Sequence, residues 1–312
     1  MSGIGVLSNP RSRKNRKNPR LTRRLGYLLG EKGDLQAPTD LDALAQVASR
    51  FRERDIDILC VNGGDGTLHT ALTAMVGAYG DHPLPKVAVL KGGTMNTVAH
   101  GLGIRGSASE ILHYVVRCYH AEEPMPTARR WLMAIDDQQY GFMFGNGLVA
   151  RFLEAYYEGS EPSPTKALLL LARGAASVVV RGRLARWLSE PFYGTAEVDG
   201  HTWPLERWMS VAAGTVDDLG VGFRPFYKAP RHPGRLHALG LGCRPWDVVR
   251  NLPRIYRAQP IAAEGVFERV GTELIIRSDE PINYMIDGDF HRGGQTLTVR
   301  TGPPVDIICP EL

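Results

Sequence analysis

Two glycine-rich turns constrain the fold of this chain more than any other feature of its sequence. The first is VNGGDGT at residues 61–67 and the second is KGGTMN at residues 91–96. Each turn follows a short apolar run typical of a β-strand, at 56–61 and 87–90, and each opens onto a segment with the pattern of a helix. The order of strand, turn and helix, given twice, predicts a mainly parallel α/β sheet.

The same two turns have the chemistry of a phosphate site. Glycine lets backbone N–H groups approach an anion closely, and a helix N-terminus adds about half a positive charge. Turns one βαβ unit apart can end side by side at the carboxyl edge of the sheet, where open α/β sheets bind ligands. A single turn could instead be a tight turn with Asp65 as helix N-cap. The repeated arrangement favours phosphate, although neither turn has the spacing of a Walker A loop or a GxGxxG fingerprint.

The pattern of the chain changes near residue 127. Strands and helices alternate before it, with a helix predicted over 39–54. After it short β-rich runs dominate, interrupted by helical stretches at 148–158, 164–188 and 245–257. Repeated short strands with Gly or Pro turns predict an antiparallel sandwich. We therefore predict an α/β domain over 1–127 and a β-sandwich domain over 128–312, whose last strands can return to the first domain.

Composition limits the class of protein. The chain has 312 residues, of which 43% are hydrophobic and 22% charged, as in ordinary globular proteins. Its four cysteines are scattered, which predicts free thiols in a reducing compartment. There is no apolar stretch of about 18 residues and no signal-peptide pattern, so we expect a cytoplasmic protein.

Positive charge is concentrated near the N-terminus. Residues 11–24 (RSRKNRKNPRLTRR) hold eight Lys or Arg and no acid. The run could be a solvated, partly mobile loop, a phosphate-facing loop, or a contact with anionic lipid headgroups. Nucleic acid is not expected, because no aromatic interleaving or reader motif accompanies it. Together with the apolar stretch 164–188, the run is a candidate for peripheral contact with the inner face of a membrane.

The two glycine turns resemble motifs of a known family. GGDGT at 63–67 together with GTMN at 93–96 is similar to the diacylglycerol kinase catalytic-domain family, which includes sphingosine and ceramide kinases and soluble bacterial lipid kinases. Three further segments also resemble motifs of this family: NPRS at 9–12, FGNG at 144–147 and IDGD at 286–289.

The resemblance implies a fold, an activity and a set of site residues. The implied fold is an N-terminal phosphofructokinase-like α/β nucleotide-binding domain (1–127) and a C-terminal β-sandwich lipid-substrate domain (128–312), with ATP between them. The implied reaction transfers the γ-phosphoryl group of ATP, with Mg²⁺, to a lipid hydroxyl of diacylglycerol or a ceramide- or sphingoid-type lipid at a membrane surface. Asp289 would be the general base. The nucleotide would be held by Asn9, Gly63, Gly64, Asp65, Gly66, Thr67, Gly93, Thr94 and Asn96.

The chain departs from the family pattern at the proposed general base and at the expected magnesium loop. The last motif usually ends in Glu, whereas here Asp289 is one methylene shorter. The bacterial lipid kinases carry an acidic magnesium loop in the second domain. The matching stretch, 226–236, has Lys, Arg and His where acids would stand. Asp217 and Asp218 lie upstream of it. The sequence therefore leaves a second-domain cation site unassigned.

Two other functions remain open. NAD kinases share GGDGT, so a kinase for a soluble substrate is one alternative. A non-catalytic nucleotide- or lipid-binding protein that has lost its acidic sites is the other. The GTMN turn and the late DGD motif fit lipid kinases better.

Overall fold

A computed structural model describes residues 3–18, 20–30, 33–159, 161–219 and 221–311. The chain divides into two compact units. One consists of Met1–Arg130 with Pro304–Leu312, and the other of Trp131–Pro303. The C-terminal residues 304–312 thus group with the N-terminal unit.

The first unit alternates strands and helices. Its elements in order are β1 (Ile4–Ser8), α1 (Arg13–Lys17), α2 (Arg20–Leu29), β2 (Asp34–Gln36), α3 (Leu41–Glu53), β3 (Ile58–Asn62), α4 (Asp65–Tyr79), β4 (Lys86–Val89), α5 (Thr97–Gly101) and α6 (Ala108–His120). The strands line up as β2–β1–β3–β4, and every neighbouring pair is parallel. All residues of β1 and β3 are buried, as the near-continuous apolar runs of a parallel sheet predict.

The helices of this unit follow ordinary capping and burial rules. The Asp40 carboxylate accepts the Ala43 N–H at 2.8 Å and starts α3. This helix buries Leu44, Val47, Ala48 and Phe51. The Ser107–Glu110 capping box starts α6, which contacts α2.

The basic run 11–24 forms helix rather than the loop that was one of our expectations. It covers α1 and the first half of α2, with Pro19 outside the described residues. Leu25 and Leu29 of α2 are buried, which gives this basic helix an apolar face to pack.

The second unit is rich in antiparallel strands. Its elements in order are β5 (Thr127–Ile135, which begins in the first unit), β6 (Gln139–Gly141), β7 (Met143–Asn146), α7 (Leu148–Tyr157), α8 (Pro164–Val179), α9 (Arg183–Leu188), β8 (Phe192–Val198), β9 (His201–Thr202), β10 (Arg207–Trp208), β11 (Ser210–Gly214), a 3₁₀ turn (Ala229–Arg231), β12 (Leu236–Leu241), α10 (Pro245–Tyr256), β13 (Val266–Gly271), β14 (Glu273–Ser278), β15 (Asn283–Ile286), β16 (Asp289–Arg292) and β17 (Thr296–Ile308). The last residues of β17 reach the first unit, where Ile307 pairs with Val87 of β4 in parallel.

Two antiparallel layers enclose the core of this unit. One sheet has the order β13–β12–β11–β7–β15–β16, and the other contains β10–β8–β14–β17. Both sheets supply buried side chains to one cluster, including Phe144 and Val211 from the first and Ile276 and Leu297 from the second. The expected combination of a parallel α/β domain and an antiparallel β-sandwich is therefore confirmed.

The predicted helix 164–188 is two helices. It breaks after Val180, where Arg181 adopts a positive φ of 51°. The Ser177 hydroxyl accepts the Ala185 N–H at 2.9 Å and so fixes the start of α9 against the end of α8. Gly182 permits this close return, because a β-carbon on it would lie 2.6 Å from the Ser177 hydroxyl oxygen.

Candidate active site

The two glycine turns lie against each other, as the sequence predicted. They follow β3 and β4, which are parallel neighbours, so both turns leave the same edge of the sheet. A β-carbon built on Gly64 would lie 3.2 Å from the Gly93 Cα, and one on Gly93 would overlap Gly64. A β-carbon on Gly92 would lie 2.7 Å from the Asn62 side-chain oxygen. Glycine is therefore required by the close approach of two backbones.

The first turn ends on the N-terminus of a long helix. Gly64 is the N-cap of α4, and Asp65, Gly66 and Thr67 form its first turn. The N–H groups of a first helical turn have no acceptor within the helix. All four residues are only partly buried, so this end of the helix can accept an anion.

The loop after β1 is fastened to both turns. The Asn9 side-chain amide donates to the Thr67 hydroxyl at 2.9 Å, and the Asn9 N–H donates to the Asn62 carbonyl at 3.0 Å. The Lys14 N–H donates to the Gly92 carbonyl at 3.1 Å. Asn9, Thr67 and the second turn, which are far apart in the sequence, thus form one surface.

Buried asparagines support this surface, and the sequence did not mark them as site residues. The Asn15 amide donates to the carbonyls of Asn9 at 2.7 Å and Asn62 at 3.2 Å. The Asn62 amide donates to the Ser8 hydroxyl at 3.0 Å. An available signal was the polar residue that ends each buried strand, Ser8 in β1 and Asn62 in β3. Such groups are buried only with partners.

Asp65 connects the first turn to the second. The Thr97 hydroxyl lies 3.4 Å from its carboxylate. Burial raises the pKa of Asp65 to about 6, although the backbone N–H groups of Thr97 and Val98 favour the ionised form. The carboxylate therefore faces the start of α5, directly after the second turn.

Asn96 shapes the second turn from within. Its backbone is left-handed, with φ 49° and ψ 51°, a conformation that asparagine tolerates. Its side-chain oxygen accepts the Gly93 N–H and its amide donates to the Gly93 carbonyl, both at 3.1 Å. Thr94 lies half-buried in the same turn.

Positive charge accompanies the turns. Burial lowers the pKa of Lys14, and it also lowers the pKa of Lys91, which the nearby charge of Lys14 lowers further. The Lys91 ammonium donates to the Ile104 carbonyl at 2.9 Å. Two partly desolvated cations beside exposed N–H groups favour an anionic ligand.

The Asp-Gly-Asp turn of the second unit separates its two acids. Asp287 is buried, and its carboxylate accepts the N–H groups of Phe142 at 2.8 Å and Met143 at 2.9 Å. Asp289 opens β16 and is only partly buried. Burial raises its pKa, and the nearby His291 opposes this. Asp287 holds the turn to β7, while Asp289 is partly exposed.

The FGNG segment at 144–147 has a structural explanation. The Asn146 side-chain oxygen accepts the Val211 N–H at 2.7 Å. Gly147 has φ 55°, and a β-carbon there would overlap the Met209 carbonyl. The segment therefore ties β7 to β11.

Comparison with known proteins gives a family match within the first unit. The family model described as the diacylglycerol kinase catalytic domain matches residues 3–123. This segment is similar to that catalytic domain. The match contains NPRS, GGDGT and GTMN, so the resemblance seen in the sequence is confirmed. No protein of curated function matches the sequence.

Solved structures extend the similarity in fold to nearly the whole chain. One from Bacillus anthracis, provisionally described as a diacylglycerol kinase, has a TM-score of 0.71 at 14% identity and covers 99% of this chain and 98% of its own. A second, described as a diacylglycerol kinase from the same organism, has a TM-score of 0.64 at 13% identity, with coverages of 99% and 97%. A third structure from this organism, also provisionally described as a diacylglycerol kinase, has a TM-score of 0.65 at 14% identity. The match covers 100% of this chain and 99% of that one. At these identities the likeness shows the fold.

The stretch 226–236 does not fit the magnesium loop of the bacterial lipid kinases. Lys228 donates to the Glu268 carboxylate at 2.6 Å, and the Tyr227 hydroxyl donates to it at 2.9 Å. The His237 Nε2 lies 3.4 Å from the same carboxylate. Burial opposes ionisation of Glu268, but hydrogen bonds from His237, Lys228 and Tyr227 lower its pKa to about 2. A lysine ammonium therefore supplies the positive charge at this place.

Within the described ranges, no group of three or more His, Cys, Asp or Glu side chains could hold a metal ion. The described side chains thus offer no cluster of that kind for a resident metal. The glycine turns do fit a phosphate chain, because they are bare of side chains where they meet.

Proposed function

We propose that this protein is an ATP-dependent lipid kinase that phosphorylates the hydroxyl of diacylglycerol or of a ceramide- or sphingoid-type lipid. The observation that carries the proposal is the contact between the two glycine turns at the carboxyl edge of a parallel sheet, inside the segment matched by the kinase family. The lysines beside the turns support an anionic ligand there. The raised pKa of Asp289 supports a proton-accepting role.

In this proposal the turns bind the phosphates of MgATP. Backbone N–H groups of Gly64, Asp65 and Gly66 face the phosphate oxygens, and the Gly93–Thr94 backbone completes the cradle. Asn9 and Thr67 fix the first loop, while Asp65 and Asn96 set the spacing and shape of the second. Mg²⁺ carried by the nucleotide would neutralise phosphate charge in this site.

The transfer step follows from phosphoryl chemistry. The lipid hydroxyl oxygen forms a bond to the γ-phosphorus as the bond to the β–γ bridging oxygen breaks. ADP takes the electrons of that bond. Asp289 accepts the hydroxyl proton, and a pKa raised toward neutrality makes a carboxylate a better base.

The test is phosphoryl transfer from labelled ATP to detergent-dispersed lipids. Diacylglycerol, ceramide, a sphingoid base and a polyprenol form the panel, with NAD as the soluble acceptor and product mass as the readout. We expect a phosphorylated lipid from the wild-type protein. Nucleotide binding without any product would support the non-catalytic alternative. Phosphorylation of NAD alone would favour the soluble-substrate kinase.

A further inference from the structure

The outward face of α8 is apolar. Leu168 and Leu169 are 48% and 59% exposed, and Val179 and Val180, at the end of the helix, are 63% and 75% exposed. The exposed residues between them on the same face are Ala172, Arg173 and Ala176. Positions separated by three or four residues share one side of a helix, so these residues form a stripe about three turns long.

The opposite face of α8 already has its own packing. Ala167 and Leu170 are buried in a cluster with Tyr156 of α7. The outward stripe is therefore additional to the core contacts of the helix. Single exposed apolar residues are ordinary on protein surfaces, but an apolar stripe of this length, here interrupted by Arg173, marks a contact surface.

Positive charge surrounds the stripe. The sequence from 162 to 189 contains Lys166, Arg173, Arg181, Arg183 and Arg186 and no Asp or Glu. All four arginines are exposed, and Trp187 beside them is 37% exposed. The Ser177 hydroxyl holds α9 against α8, so the α9 arginines stay near Val179 and Val180.

We propose that the α8–α9 surface, defined by the exposed side chains of residues 168–187, docks onto an anionic lipid bilayer. Apolar side chains would enter the boundary between headgroups and acyl chains while the arginines contact lipid phosphates. A second copy of this chain is a poorer occupant, because a two-fold contact would bring these cations together and residues 162–189 contain no acid to pair them. In the described part of the chain no helix is long and apolar enough to cross a membrane.

This surface adds a membrane contact to the proposed kinase, but its binding to vesicles is measured without any kinase reaction. Sedimentation uses sucrose-loaded vesicles of phosphatidylcholine alone or mixed with phosphatidylglycerol, with no nucleotide and no substrate lipid. The wild-type protein should sediment with the mixed vesicles and stay in solution with phosphatidylcholine alone. Equal sedimentation with both would overturn the proposal.

Charge and apolar variants separate the two parts of the contact. Arg183→Gln with Arg186→Gln should lower partitioning about fivefold per arginine removed. Leu168→Ser with Leu169→Ser should lower it about tenfold or more. Matched controls carry Arg105→Gln with Arg269→Gln, or Leu41→Ser with Tyr27→Ser, which are similarly exposed residues outside the surface. These controls should bind like the wild type.

Several outcomes would contradict the docking surface. Equal loss in the control variants would assign binding to general charge or to another part of the chain. A dimer in light scattering that dissociates in the Leu168→Ser, Leu169→Ser variant would assign the stripe to a second copy. Activity on detergent-dispersed lipid should survive in both surface variants. Loss of vesicle binding with retained kinase activity, or the reverse, tells the two proposals apart.

Discussion

The two acid-bearing turns of this protein use their carboxylates in different ways. In the first unit a single carboxylate, Asp65, stands at a phosphate-type turn and also faces the N–H groups that follow the second turn. In the second unit the roles are divided: Asp287 accepts two backbone N–H groups, and Asp289 remains accessible. Hydrogen bonds, rather than residue type, therefore distinguish a structural acid from a candidate base.

Replacing the accessible acid should have the largest effect. Asp289→Asn removes the proposed proton acceptor but keeps the shape of the side chain, so turnover should fall about 10²–10⁴-fold. ATP binding and thermal stability should remain near wild type, because Asn stays neutral in a site that disfavours charge. Steady-state kinetics, nucleotide titration and thermal unfolding measure the three quantities.

The pH profile of the wild-type protein provides a second test of the role of Asp289. The base must be ionised, and burial raises the pKa of Asp289, so kcat should rise with pH through a value above the usual aspartate range. A turnover in Asp289→Asn equal to wild type would reduce Asp289 to a turn residue.

Asp65, which connects the two glycine turns, should make the free energy of unfolding depend on pH. The pKa of Asp65 is about 6 in the folded protein, against an ordinary value of 3.8, so the folded state retains its proton more strongly. Stability should therefore fall as pH rises from about 4 to 6, by about 2–3 kcal/mol. Asp65→Asn cannot lose a proton and should lack this contribution.

The measurement is the difference between the two proteins. Urea unfolding at several pH values gives the free energy of unfolding of each, and subtraction removes the other titrating groups. A difference that stays constant between pH 4 and 6 would contradict the raised pKa of Asp65. Turnover should also fall in Asp65→Asn, since the variant weakens the connection between the turns.

Local patterns were sufficient to predict the turns but not their connections. Glycines after apolar strands predicted two adjacent turns, and Gly64 and Gly93 are in contact. The role of Asp65 depends on Thr97 and Val98, which only the parallel pairing of β3 and β4 brings near. The same limit applies to Lys228 and Glu268, which are 40 residues apart.

Two helical segments show the same limit from another direction. One interpretation of residues 11–24 was a charged loop, because the run itself is dominated by Lys and Arg. The apolar residues that α2 buries, Leu25 and Leu29, lie just beyond it. Residues 164–188 read as one helix, because both faces are apolar. The break at 180–182 depends on Ser177 accepting a backbone N–H from beyond it.

Asp287, the structural acid of the Asp-Gly-Asp turn, should give the smallest effect when it is replaced. That effect should be on stability alone. Asp287→Asn keeps a residue type that tolerates the observed φ of 46° but replaces one carboxylate oxygen by an amide, leaving the Phe142 or Met143 N–H without an acceptor. An unsatisfied buried donor costs about 1–3 kcal/mol in the free energy of unfolding. At temperatures where the variant is folded, turnover should stay within a few fold of wild type, because Asp289 is unchanged. Urea unfolding and kcat measured on Asp287→Asn and Asp289→Asn together decide the division of roles. A variant at Asp287 that loses turnover while keeping full stability would place the chemistry on the buried acid instead.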